Sequence, residues 1–189
     1  LLTGSNKINI AVFISGTGSN LKSLIKFSKL KKSPVIIKMI ISNNSKSKGL
    51  QYAKIYKIKK KVFDFKNTLS EKKVIFELKK NNISLICLAG FMKVLSKNFI
   101  KKFKGIIINI HPSLLPKYKG LNTYKKVLKS NEKYSGCTVH YVVPKIDSGK
   151  IILQKRVLIS KNETESSLRK KILQQEHKIY PRSIISIFK

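Results

Sequence analysis

The sequence predicts an α/β fold in one domain: a mostly parallel, twisted sheet with helices on both faces and an antiparallel edge near the carboxyl terminus. Three observations lead there. Strand-length apolar runs alternate with segments of helical period along most of the 189 residues. The runs are apolar throughout rather than at every second residue, as strands covered on both faces are. The last two runs are joined by a segment too short for a crossover helix, so that end turns back on itself.

The elements follow in order. Ile8 to Ile14 is a first strand, ending in a turn with two glycines, and Asn20 to Leu30 then places Leu21, Leu24 and Ile25 at helical spacing. Pro34 to Ile41 and Ser84 to Ala89 read as further strands, and Ser70 to Lys80 between them carries Val74, Ile75 and Leu78 on one helical face. Ile106 to Ile110 is the next buried strand. Thr138 to Val143 and Ile151 to Ile159 form the antiparallel pair, joined by Pro144 to Lys150. A long helix from about Thr164 to Tyr180 closes the chain, and Pro181 is expected to stop or kink it. Without a repeat, a linker or a low-complexity segment beyond lysine enrichment, residues 1–189 read as a single domain.

Composition narrows the function classes. Hydrophobic residues make up 42% of the chain, with no unbroken apolar run of the ~18 residues a membrane span needs. No membrane association is expected. The 41 Lys and Arg against 8 Asp and Glu leave a net charge of +33. That excess alone would suggest nucleic acid. It is nearly all lysine, however, scattered through every segment beside many Ile and Asn, as A/T-rich coding would produce. A nucleic-acid partner is therefore not expected, and a positive field drawing small anionic substrates or RNA remains the other reading. Cys87 and Cys137 lie in apolar text without metal spacing and read as buried free thiols. The amino terminus is too short and interrupted for a signal peptide, so a cytoplasmic location is expected.

The turn after the first strand, in ISGTGSNL, lets the backbone approach a ligand at Gly16 and Gly18, with Ser19 or Asn20 opening a helix whose first N–H groups face an anion. A phosphate monoester is the leading reading and a purely structural turn the next. A dinucleotide comes last, because Leu21 stands where a third glycine belongs and no acid ends the second strand.

In a strand alternate side chains share a face, so Asn109 and His111 point the same way, and Pro112 ends the ladder just beyond them. An amide and an imidazole at a strand's carboxyl end can stabilise an oxyanion on a carbonyl under attack, and the imidazole can also move a proton. The plainer alternative is a pair satisfied by backbone groups. Only two aspartates occur, Asp64 and Asp147. Asp147, in the tight PKIDSGK loop, is the acid expected to orient His111 and raise its pKa. Glu176 falls on the apolar stripe of Leu168, Ile172 and Ile179, so it points inward toward a substrate cation or hydroxyl, or toward a structural lysine or backbone donor. His177 is expected to be structural. His140 either supports Asp147 or fills the core.

Five separated motifs now converge. ISGTGSNL at 14–21, LAGFMKVLS at 88–96, NIHPSLLPKYKGL at 109–121, IDSGKIIL at 146–153 and QEHKIYP at 175–181 stand in the order of the phosphoribosylglycinamide formyltransferase family, folate-dependent enzymes of purine synthesis, which the chain resembles from about residue 8 to residue 185. The resemblance implies a Rossmann-like fold and a direct formyl transfer from 10-formyltetrahydrofolate, the co-substrate, to the amine of glycinamide ribonucleotide, with no metal. It also implies roles. Asn109 and protonated His111 would hold the oxyanion, with Asp147 keeping the histidine charged. Gly18, Ser19 and Asn20 would cradle the phosphate, Glu176 would contact the nucleotide, and Met92, Lys93, Val94 and Leu95, with Asn109, would receive the folate. Two departures stand out: Lys93 where the family commonly carries arginine, and Lys66 or Asn67 where an arginine commonly opens the following helix, so the folate tail loses a bidentate partner. Related formyltransferases acting on methionyl-tRNA, and formyltetrahydrofolate deformylases, normally add a further domain for which 189 residues leave no room. Oligomeric state is not readable from the sequence.

Overall fold

The computed structural model describes residues 7–188. In chain order it holds β1 (Ile8–Ile14), α1 (Ser19–Ser28), β2 (Val35–Ser42), a 3₁₀ turn (Lys48–Leu50) leading into α2 (Gln51–Ile55), β3 (Lys59–Val62), α3 (Thr68–Lys80), β4 (Leu85–Leu88), α4 (Lys97–Lys102), β5 (Ile106–His111), α5 (Thr123–Lys129), β6 (Tyr134–Tyr141), β7 (Ile151–Leu158) and α6 (Glu165–Ile187). The strands form one seven-stranded sheet in the order β3-β2-β1-β4-β5-β6-β7. By contacts the chain divides into two compact units, one running to Ile108 and the other from Asn109 to Ile187.

In the first unit β1 pairs parallel with β2 on one side and β4 on the other. A strand flanked on both edges and covered on both faces has no polar position to spare, and Ile10 to Ile14 are fully buried. Leu21, Leu24 and Ile25 of α1 and Val74 and Leu78 of α3 are fully buried too, as their spacing predicts. Phe13 meets Phe65, Phe91 and Phe99 edge-on, a geometry that adds to simple burial. Asn67 caps α3, its side-chain oxygen accepting from the Ser70 N–H at 2.9 Å.

β3 is absent from the sequence reading. Its residues are Lys-Lys-Lys-Val, all exposed, pairing parallel with β2 at the sheet edge. Hydrophobic pattern cannot signal a strand with no buried face. Charge on such an edge also discourages pairing with another chain, and here Lys59 and Lys61 lean on Glu77 of α3.

In the second unit β6 and β7 are antiparallel as expected, in register from Tyr134 opposite Leu158 to His140 opposite Ile151, with a shift between Val139 and His140. The strand starts at Tyr134 rather than Thr138, because Ser135, Gly136 and Cys137 show no apolar pattern yet are buried in the ladder. α6 packs on both strands. Pro181 does not end it: the helix runs on to Ile187. Ser183 and Ile184, beyond the proline, are fully buried, and the Ser183 hydroxyl donates to the Ile179 carbonyl at 2.8 Å. Burial of that last apolar turn outweighs the hydrogen bond the proline removes. Among the described residues no helix is long and apolar enough to cross a membrane.

Candidate active site

Asn109 and His111 close β5 on one face, and the loop after β6 brings Asp147 to both. The carboxylate is a hub. Its Oδ2 lies 3.3 Å from His111 Nδ1 and accepts the Gly120 N–H at 2.8 Å. Its Oδ1 is 3.5 Å from Asn109 Nδ2 and 3.5 Å from His140 Nε2. Asp147 sits in the left-handed region, with φ 45°, as a residue in so tight a loop must. Two residues on, Gly149 passes so close to the Tyr141 carbonyl that a Cβ would stand 1.8 Å from its oxygen. Only glycine fits there. The Lys119 ammonium donates to the Ser148 hydroxyl at 2.5 Å, tying the 117–120 segment to the same loop.

His111 is held at both ring nitrogens. Nε2 donates to the Tyr118 carbonyl at 2.9 Å while Nδ1 faces Asp147. Asp147 pulls the histidine pKa upward as expected, but the depth of the site outweighs that pull. Burial pulls the His111 pKa below its ordinary 6.5, and the Tyr118 carbonyl and Asp147 carboxylate pull it back only in part, with nearby His140 and Lys126 adding to the lowering. Asp147 resolves the same competition the other way. Burial pushes its pKa up, but the His140 ring, the Gly120 amide and His111 favour the carboxylate and hold it below the ordinary 3.8. The resting site therefore pairs an ionised acid with a ring that binds its proton weakly.

The glycine turn has the other character. Gly18 precedes α1 in the left-handed region, with φ 76°, and no side chain caps the helix. A Cβ on Gly18 would lie 2.7 Å from the Gly49 Cα, so two backbones meet where side chains have no room. The Gly16 carbonyl accepts from the Ser47 hydroxyl at 2.7 Å and the Gly49 N–H at 2.9 Å, which fixes the turn. Ser19 is half-buried and Asn20 buried.

The segment after β4 is anchored at both ends. The Met92 N–H donates to the Ser15 hydroxyl at 2.7 Å, and Ser15 in turn donates to Asn43. Ser96 caps α4 and binds both oxygens of Glu71. Between these anchors Met92, Lys93 and Val94 are exposed and Leu95 is buried. The Met92 amide is thus spent inside the protein, and that residue offers its carbonyl rather than its N–H.

A formyl transferase family model matches residues 8–184. Phosphoribosylglycinamide formyltransferase of Haemophilus influenzae is 40% identical over 176 residues, which are 91% of this chain and 83% of that protein. The chain belongs to the formyl transferase family. Trifunctional purine biosynthetic protein adenosine-3 of Gallus gallus is 40% identical over 184 residues, and the chain spans 18% of that protein's length. The crystal structure of phosphoribosylglycinamide formyltransferase from Anaplasma phagocytophilum matches with a TM-score of 0.91 at 39% identity, covering 97% of this chain and 88% of that one.

Asp147 lies beside His111, as the sequence led one to expect, while the backbone around them carries no such signal. The Tyr118 carbonyl and the Gly120 amide, which hold His111 and Asp147, carry no residue identity that a sequence shows. His140, left open between support and core, contacts both Asn109 and Asp147. Glu176 is buried as its stripe predicts. Burial first, and the Glu176 carboxylate second, push the Cys137 thiol and the Tyr124 phenol upward, so both stay protonated beside it. Asn67 is committed as the cap of α3. Among the described residues no group of three or more His, Cys, Asp or Glu could hold a metal.

Proposed function

We propose that this chain, acting as a single domain over residues 1–189 in the cytoplasm, transfers the formyl group of 10-formyltetrahydrofolate to the amine of glycinamide ribonucleotide in purine synthesis. The arrangement of Asp147 with Asn109 and His111 carries the proposal. Names and likeness of the relatives support the substrates; the hub supports the chemistry.

The amine lone pair forms the new C–N bond at the formyl carbon while the C=O π pair moves onto oxygen. Asn109 donates an N–H to that oxyanion. His111 enters neutral, because burial lowers its affinity for a proton, and its Nδ1 lone pair faces a carboxylate oxygen 3.3 Å away. A proton released by the attacking nitrogen and taken up at Nδ1 turns that repulsion into a charge-assisted hydrogen bond. The imidazolium so formed stabilises the oxyanion. Collapse breaks the bond between the formyl carbon and N10 of the folate, and N10 leaves with the proton His111 returns. Asp147 supplies the negative field that makes His111 basic enough at that moment.

Binding follows the same reading. Gly18, Ser19 and Asn20 take the ribonucleotide phosphate on the uncapped amides at the head of α1, and Glu176 meets the nucleotide. Met92, Lys93, Val94 and Leu95, with Asn109, receive the folate. The test is a spectrophotometric assay of folate release with glycinamide ribonucleotide as acceptor. Saturable turnover that requires both substrates is expected; its absence with a folded protein overturns the proposal.

A further inference from the structure

Three consecutive residues, Tyr118, Lys119 and Gly120, face the Asp147 loop and the ring beside it. The Tyr118 carbonyl lies 2.9 Å from His111 Nε2, and the Gly120 N–H donates to Asp147 Oδ2 at 2.8 Å. Each contact needs one particular backbone direction, and both residues take it in the left-handed region, Tyr118 at φ 56° and Gly120 at φ 76°. Glycine adopts that conformation freely and tyrosine does not. The segment has to be held.

What holds it divides by direction. The Ser113 hydroxyl donates to the Lys117 carbonyl at 2.7 Å, and the Tyr118 hydroxyl donates to Ser130 at 2.7 Å. Both ties lead back into residues 113–130 and leave the distance to the Asp147 loop unset. Among the described residues two hydrogen bonds cross that gap: the Gly120 N–H to the carboxylate, and the Lys119 ammonium to the Ser148 hydroxyl. The second has a fixed direction. Ser148 gives its own proton to the Ile146 carbonyl at 2.9 Å, which leaves its lone pairs for the ammonium. Both partners are half-buried, so water competes with this charge-assisted bond only in part. The peptide joining Lys119 to Gly120 is polarised to match. Its oxygen accepts from the Lys126 ammonium at 3.3 Å while its N–H meets Asp147, so a cation and an anion stand at opposite ends of one amide dipole.

We infer that Lys119 is a positioning residue: its bond to Ser148 keeps the 118–120 segment in register with the Asp147 loop, and so keeps the Tyr118 carbonyl on His111 and the Gly120 amide on Asp147. Without it the two loops part, and the carboxylate loses a donor that favours its ionised form. The consequence for rate rests on the formyl-transfer reading above. The register of the loops does not, and the two are tested separately.

The Gly120 amide proton reports the contact without any substrate, because a proton donated to a carboxylate resonates downfield and moves as that carboxylate titrates. In Lys119→Met, which keeps the aliphatic stem and removes the ammonium, the Gly120 signal should shift upfield, and Ser148→Ala should move it the same way. An unchanged signal in either folded variant overturns the proposal. Kinetics give the second arm. Lys119→Met should lower kcat by about 10-fold with KM for both substrates within about twofold of the parent. Added to Ser148→Ala it should cost nothing further, since both changes break one bond. Losses that multiply, a raised KM with kcat intact, or no loss at all would each overturn it; the first two are what a lysine bound directly to substrate would give. Thermal midpoints check that the variants fold, and if Lys119→Met does not, the Gly120 signal in Ser148→Ala decides. A parent protein without turnover would sink the formyl-transfer reading and leave the NMR arm to judge the register.

Discussion

Around Asp147 the polar side chains already face one another: each carboxylate oxygen has two neighbours, the His111 ring lies between the Tyr118 carbonyl and the Asp147 carboxylate, and the Asn109 amide is shared between a ring and an acid. The glycine turn ahead of α1 is built in the opposite manner. No side chain caps its helix, Gly18 holds a conformation other residues resist, and the Gly16 carbonyl is braced from behind by Ser47 and Gly49. One region stores its function in side-chain pairs and the other in backbone shape. Mutations should therefore fail differently in the two, the first in rate and the second in binding and stability.

The largest expected effect belongs to the paired region. In the proposed reaction His111→Ala removes both the proton acceptor and the charge that forms beside the oxyanion, and should lower kcat by about 100- to 1,000-fold, measured at saturating substrates; comparable activity would take the ring out of the chemistry. The glycine turn should respond at intermediate scale. Gly18→Ala forces a left-handed alanine, at about 1–2 kcal/mol, and pushes a Cβ toward the Gly49 Cα. Chemical denaturation should show the lost stability and steady-state kinetics a raised nucleotide KM with kcat less affected. A loss confined to kcat would erase the contrast between the regions.

The smallest effect is on stability with pH, and its sign is fixed by the two shifts. Folded His111 binds its proton more weakly than the unfolded ring, whose ordinary value is 6.5. As pH falls through that value the unfolded chain takes up the proton first, so stability drops, and the drop ends below the folded pKa. Asp147 acts the same way lower down: its stabilising contribution is complete above 3.8 and is lost as pH falls through its lower folded value. Urea melts between about pH 7.5 and 5 should show the upper loss in the parent and a smaller one in His111→Ala. A parent protein that gains stability relative to the variant on acidification would contradict the buried-neutral histidine.

The part of this legible in the sequence is the part carried by side-chain identity and period. Asn109 and His111 share a face because strands alternate, Asp147 stands out because only one other aspartate exists, and Glu176 points inward because its helical stripe does. The buried strands and the antiparallel turn-back could be read the same way. Other features lack such a signal. β3 is an edge strand of lysines, α6 crosses Pro181 because of what its far side buries, and the Tyr118 carbonyl and Gly120 amide are anonymous backbone. The upward pull of Asp147 on His111 is legible because a charged partner shows in the sequence, whereas the depth of burial that outweighs it does not.

In the proposed reaction Asp147 sets the charge state and orientation of its partners for catalysis rather than for binding. Asp147→Asn keeps the shape and removes the charge, so kcat for formyl transfer should fall by about 100-fold or more while the dissociation constant for glycinamide ribonucleotide, read by calorimetry, stays nearly unchanged. A variant that turns over at close to the parent rate, or one that loses nucleotide affinity in step with rate, would contradict it.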